Sequence, residues 1–99
     1  DNNRMVKIRL RDIQVVEVDE KYCFIITGQR RHIINMRLKD LLEKLPREDF
    51  IQVHRSFVVR KSAIEEVNIG EHTLRVTEKT IPIGKTYKEH LLATLNYLA

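Results

Sequence analysis

Short apolar runs with a period of two fill most of this chain, and only two stretches change to the period of a helix. That order of periods constrains the fold more than any other feature. Val6, Ile8 and Leu10 alternate with Lys7, Arg9 and Arg11, the pattern of a half-buried strand. Ile13–Val18, Tyr22–Thr27 and Arg31–Met36 follow as strands, with Gly28-Gln29-Arg30 of hairpin length between the last two. Phe50–Val59 opens in strand alternation, and Ile64–Ile69, Thr73–Thr77 and Thr80–Ile83 read as three more short strands. No segment repeats at a fixed period.

The first helical stretch is Leu38, Leu41, Leu42 and Leu45, one face of a helix that Pro46 ends. The second opens at Thr86, where Thr86-Tyr87-Lys88-Glu89 has capping-box spacing. Tyr87, Leu91, Leu95 and Leu98 supply its apolar stripe. Strands, helix, strands, helix excludes a regular alternation of strand and helix, which argues against a doubly wound parallel sheet. The expected class is mainly β, an elongated antiparallel sheet with two short flanking α-helices. The 99 residues have room for one core, hence a single domain over 1–99.

One segment conflicts with its own pattern. Ile51 and Val53 share a strand face, and strict alternation would turn Arg55 and Phe57 inward with them. A guanidinium is rarely buried without a partner. Either the chain bends at His54-Arg55-Ser56, or Arg55 meets a buried acid. A plain edge-capping arginine is the simpler version of the same pattern.

The net charge is only +4, with 18 Lys and Arg against 14 Asp and Glu. The distribution says more. Lys21–Lys39, Phe50–Ile64 and Lys79–Lys88 contain no acid, yet hold more than half of the basic residues. If these windows converge, the domain has a strongly basic face; if they scatter, they are solvated surface. The six aromatic residues fall mostly at apolar positions, which argues against base stacking on single strands. Duplex DNA, read by Arg, Lys and polar side chains, fits better.

Other chemistry finds little support. His32, His54, His72, His90 and Cys23 show no zinc-site spacing, so no metal is expected. Gly84-Lys85-Thr86 resembles the end of a P-loop, but the required earlier glycine is Lys79. Ser56 and Ser62 have no Gly-rich elbow or positioned base, so neither a catalytic residue nor a cofactor is expected. The apolar stretches Tyr22–Gly28 and Phe57–Val59 fall far short of the roughly 20 residues of a membrane helix, and no signal-peptide pattern is present. The lone Cys23 cannot form an internal disulfide, which fits a reducing, cytoplasmic setting.

Five ordered motifs carry a family resemblance over about residues 6–97. They are Asp12-Ile13 with Val16-Glu17; Tyr22, Phe24 and Ile26 ending at Thr27; Leu38-Lys39-Asp40-Leu41 through Lys44-Leu45-Pro46; Phe50 through Val59 with Ile64; and Ile81-Pro82-Ile83-Gly84-Lys85-Thr86-Tyr87-Lys88. Together they resemble the LytTR family, DNA-binding domains most often found as C-terminal output domains of bacterial response regulators. Three departures stand out. Arg60 occupies the place of the family's Asn, and Val15 that of its Tyr. Asp1-Asn2-Asn3-Arg4 reads as the turn after a strand the family usually has, as if trimmed from a longer regulator.

The resemblance implies an elongated β fold that binds successive major grooves of duplex DNA through loops and strand ends. It implies Arg55 as a base or phosphate contact and Lys85 as a basic residue entering a major groove. Ser56, Arg60 and Tyr87, taken as lying beside them, become phosphate contacts. Lys21 belongs to a third contact region, and His54 orients the bend or touches a phosphate. It also implies an N-terminal receiver or sensor domain, a monomer in isolation, and two copies meeting on repeated half-sites. The alternative, from a different class, is a small β protein-interaction or regulatory module that does not bind DNA.

Overall fold

The computed structural model describes residues 5–28 and 30–95. The turn read at Asp1–Arg4, Gln29 in the hairpin connection and Leu98 of the last apolar stripe lie outside the described residues. Among the described residues, eight strands form two antiparallel sheets. The first has five strands in the order β3-β2-β1-β5-β4, with β1 at Ile13–Asp19, β2 at Tyr22–Thr27, β3 at Arg30–Ile34, β4 at Phe50–His54 and β5 at Phe57–Arg60. The second is the meander β6 (Ile64–Asn68), β7 (Thr73–Val76), β8 (Lys79–Pro82). Helix α1 spans Leu38–Leu42 and α2 spans Lys85–Leu95. The extents of 46 × 25 × 25 Å give the elongated shape, but through two packed sheets where the sequence reading had one.

The five-stranded sheet is buried on both faces, which explains the nearly continuous apolar run of β1. One face presents Val15, Ile51, Val53 and Val59 to Leu74, Val76 and Ile81 of the small sheet, to Ile83, and to Leu91 of α2. The other presents Ile13, Val16, Cys23, Ile25, Phe50 and Val58 to Leu41 and Leu45. Ile13 and Val16 share a face despite being three apart, because the β1–β2 register shifts at Gln14. Helix α1 carries the chain from edge strand β3 to edge strand β4 beneath this second face. It is shorter than the leucine spacing suggests: beyond Leu42, Lys44 and Leu45 donate to the carbonyls three residues back, tightening the chain before Pro46. The stripe still packs, since Leu41 and Leu45 are buried.

Two expectations are corrected. Val6, Ile8 and Leu10 form no strand: residues 5–9 have no regular structure, and Leu10–Asp12 is a 3-10 turn. Alternation makes a strand only if an edge is free, and both edges of the adjoining β1 are taken by β2 and β5. Only Ile8 of the three packs, against the α1-side cluster. Second, α2 opens at Lys85, so Thr86 lies inside its first turn and is not the capping residue. The Gly84 carbonyl accepts the Tyr87 N–H at 3.0 Å and so begins the turn.

Candidate nucleic-acid interface

The conflict at His54-Arg55-Ser56 resolves as a hairpin. β4 and β5 pair antiparallel, His54 opposite Phe57, leaving Arg55-Ser56 as a two-residue turn. Arg55 is therefore exposed at the end of the sheet. The register shifts between Gln52 and His54, making Val53 the extra residue of a bulge. Neither turn residue needs a positive φ, because the bulge supplies the twist.

Local bonds fix the turn. The Ser56 N–H donates to His54 Nδ1 at 3.1 Å, and Gln52 Nε2 donates to the His54 carbonyl at 3.2 Å. An accepting Nδ1 places the neutral ring's proton on Nε2. The His54 ring meets Phe57 edge-on, with centroids 5.7 Å apart. The Val18 N–H donates to the Ser56 carbonyl at 2.9 Å, binding the turn to the end of β1.

Two other segments reach the same end of the sheet. Asp19 pairs with Tyr22, so Glu20-Lys21 is the tight β1–β2 turn, with Glu20 at φ 57°. Lys21 is exposed, its Nζ 5.7 Å from the Tyr22 ring centroid. The start of α2 arrives through Gly84, whose N–H donates to the Val53 carbonyl at 2.8 Å. A Cβ on Gly84 would lie 2.9 Å from Tyr87 Cδ2 and 3.6 Å from the His54 Cα, so glycine permits this approach. Lys85 follows, exposed at the first position of the helix.

The structure thus brings Lys21, His54, Arg55, Ser56, Lys85 and Tyr87 to one end of the five-stranded sheet. Among the described residues, Arg55, Lys21 and Lys85 have no carboxylate partner. Arg60 does not join them, which corrects its placement beside Arg55. β5 carries it about 10 Å beyond Phe57, at ~3.3 Å per residue. There its Nε donates to the Ile13 carbonyl at 2.8 Å, a terminal nitrogen donates to the Leu10 carbonyl, and the guanidinium lies 4.6 Å from the Phe50 ring centroid. Arg60 fastens the 3-10 turn to the sheet.

The acid-free windows therefore converge only in part. Arg31 and Lys79 instead meet Glu17, a buried charged residue that sequence reasoning passed over. Its one signal was a lone acid inside the β-branched run Ile13–Val18. Burial raises the Cys23 thiol pKa by desolvation, which disfavours the thiolate. Among the described residues no group of three or more His, Cys, Asp or Glu could hold a metal ion. No described helix is long and apolar enough to cross a membrane.

An elongated pair of antiparallel sheets, with two turns and a helix start gathered at one end, defines a class of small β domain. This chain belongs to the LytTR family: the family profile "LytTr DNA-binding domain" matches residues 3–96. A LytTr DNA-binding domain of a Bacillus cereus response regulator superposes with a TM-score of 0.83 over 91% of this chain and 86% of that one, at 19% identity, a likeness of fold. The transcriptional regulatory protein YpdB of Escherichia coli K12 is 30% identical over 66 residues, covering 67% of this chain and 27% of its own length. The sensory transduction protein LytT of Bacillus subtilis is 28% identical over 96 residues, 93% of this chain and 40% of its own. The chain thus spans well under half the length of YpdB and LytT. It is a LytTR-type DNA-binding domain, the kind carried by transcriptional regulators.

Proposed function

We propose that residues 1–99 act as one domain that binds duplex DNA sequence-specifically, as the output module of a bacterial transcriptional regulator in the cytoplasm. The observation that carries this reading is the convergence of Lys21, Arg55 and Lys85. Three segments remote in sequence deliver three exposed cations, free of carboxylate partners among the described residues, to one end of the five-stranded sheet. The turns and the helix start offer these cations as separate points, and in this reading they enter successive major grooves. Arg55 reads a base edge or clamps a phosphate from a turn that His54 and Ser56 hold rigid. Lys85 adds its charge to the free N–H groups of the α2 N-terminus, which favour an anion. Tyr87 lies beside it with a hydroxyl for phosphate. Arg60 contributes through the fold. The relatives are longer proteins, which supports a receiver or sensor domain on the same chain; in this reading the isolated domain is monomeric and two copies act on repeated half-sites.

Titration of the domain with duplex DNA at several salt concentrations tests the reading. If three cations each neutralise one phosphate, log affinity falls with log salt with a slope of about −2.7. A protein-interaction module without a DNA role gives little slope, and that result would refute the proposal.

A further inference from the structure

The DNA-facing residues sit on two bodies. Lys21 and Arg55 belong to turns of the five-stranded sheet, whereas Lys85 follows β8 of the small sheet. Their spacing therefore depends on how β8 is seated. Past its end, β8 is held by the Gly84–Val53 hydrogen bond to β4. At its start, Lys79 Nζ lies 3.4 Å from Glu17 Oε1 on β1. β8 is paired with β7 along its length and packs Ile81 against the large sheet; since β5 lies between β1 and β4, these two polar ties meet that sheet on different strands. Ile81 holds the middle of β8, and the ties at its two ends bear on its direction.

Glu17 is well suited to be the second attachment. It is only 9% exposed, and its Oε1 has no hydrogen-bond partner among the described residues. Its other oxygen lies 3.6 Å from Arg31 on β3, whose guanidinium also stacks 3.6 Å from the Phe24 ring centroid and reaches Asp19. Phe24 and Phe57 flank Glu17 on the neighbouring strands, and Phe57 carries the edge-on contact to His54. Beside this row the sheets part, leaving a groove of about 350 Å³ lined by Val15, Ile26, Arg30, Val76 and Thr77, while Ile81 further along β8 is buried in the core between the sheets.

We propose that Glu17 is a positioning residue for Lys85: held between Arg31 and Lys79, its carboxylate orients β8 and sets the spacing of Lys85 from Arg55 and Lys21. This rests on the DNA-binding reading above. Glu17→Gln keeps the side chain's shape and removes its charge. The change makes the domain more positive by one unit, so electrostatics alone would tighten binding to any duplex; loss of position weakens only the matched one.

The experiment uses a duplex selected by the parent protein from a random-sequence pool and a scrambled duplex, at a temperature where circular dichroism shows every variant folded. Glu17→Gln should weaken the selected duplex about five- to tenfold and leave the scrambled one unweakened. In a Lys85→Ala background the same change should cost less than about twofold, because the residue it positions is gone. Lys79→Met, which cuts the same tie from the other side, should reproduce the loss and not add to it. It also serves if Glu17→Gln fails to fold. An equal loss in both backgrounds, or no loss for either variant, would overturn the proposal. A parent that binds neither duplex in a salt-dependent way would overturn the DNA reading and this proposal together.

Discussion

Gly84→Ala probes the junction that delivers Lys85. The added Cβ would sit 2.9 Å from Tyr87 Cδ2, where ordinary carbon contacts lie at about 3.5–4.0 Å. Something must give by roughly 0.6–1 Å to restore that separation. The backbone resists, because the Gly84 N–H is bound to Val53 and the His54 Cα stands 3.6 Å away on another side. The Tyr87 ring resists less, but its own N–H is tied to the Gly84 carbonyl. Overpacking of this kind costs about 1–3 kcal/mol. For a domain of this size each kcal/mol lowers the melting temperature by roughly 4–8 °C. Thermal and urea melts followed by circular dichroism measure the loss, and duplex binding by the folded fraction should weaken with it. A melting temperature within about 1 °C of the parent, well under the shift that 1 kcal/mol produces, with unchanged DNA affinity, would show that the ring moves freely and that the close approach of α2 to β4 matters little.

Arg60→Met keeps much of the side-chain volume but removes the donors to the Ile13 and Leu10 carbonyls, of which Leu10 still accepts the Ile13 N–H, so stability should fall by about 1–2 kcal/mol while the salt slope of DNA binding stays unchanged; a reduced slope would make Arg60 a phosphate contact after all. Lys85→Ala should leave stability within about 0.5 kcal/mol and lower the salt slope by about 1, with exposed Lys44→Ala as the matched control; equal affinities for the two variants would remove the α2 N-terminus from the interface. Arg55→Ala should cost about 1–3 kcal/mol on a selected duplex and relax one base position if it reads a base edge; a uniform loss on all sequences would make it a phosphate clamp. Leu41→Asp, which buries a carboxylate in the α1-side cluster, should unfold the domain or abolish its cooperative melt, and a melting temperature near the parent's would deny that α1 covers the sheet.

What the sequence made legible follows the range of the interactions involved. Alternation in Ile13–Val18 and Tyr22–Thr27 is local, and both runs are strands, because each has a partner a few residues away across a tight turn. The leucine stripe before Pro46 also found its place, although hydrogen bonding tightens sooner than the spacing suggests. Val6–Leu10 carries the same alternation and is not a strand, since the pattern cannot reveal whether an edge is free. The candidate site divides in the same way. The exposed turn of Arg55 could be read from an arginine that had no place on an inward face. Arg60 could not be placed, because the carbonyls it serves lie about fifty residues earlier in the chain. Nor could Glu17, whose two cations come from β3 and β8 and meet only when the sheets pack.

The string Val53-His54-Arg55-Ser56 carries two instructions at once. The extra residue Val53 gives the hairpin its twist without a glycine, which sets Arg55 at the tip and lets His54 lock Ser56 through its ring nitrogen. A bulge on an edge strand also leaves a carbonyl unpaired within the ladder, and that carbonyl must find a donor. The donor here is Gly84, so the irregularity that shapes the Arg55 turn is also the anchor that brings Lys85 alongside it. A strand without the bulge would return Val53 to the ladder, bury the next position, and leave α2 without its seat. Two of the three cations that carry the DNA reading, Arg55 and Lys85, are therefore coupled through one backbone defect, and changes at Val53 or Gly84 should alter both together.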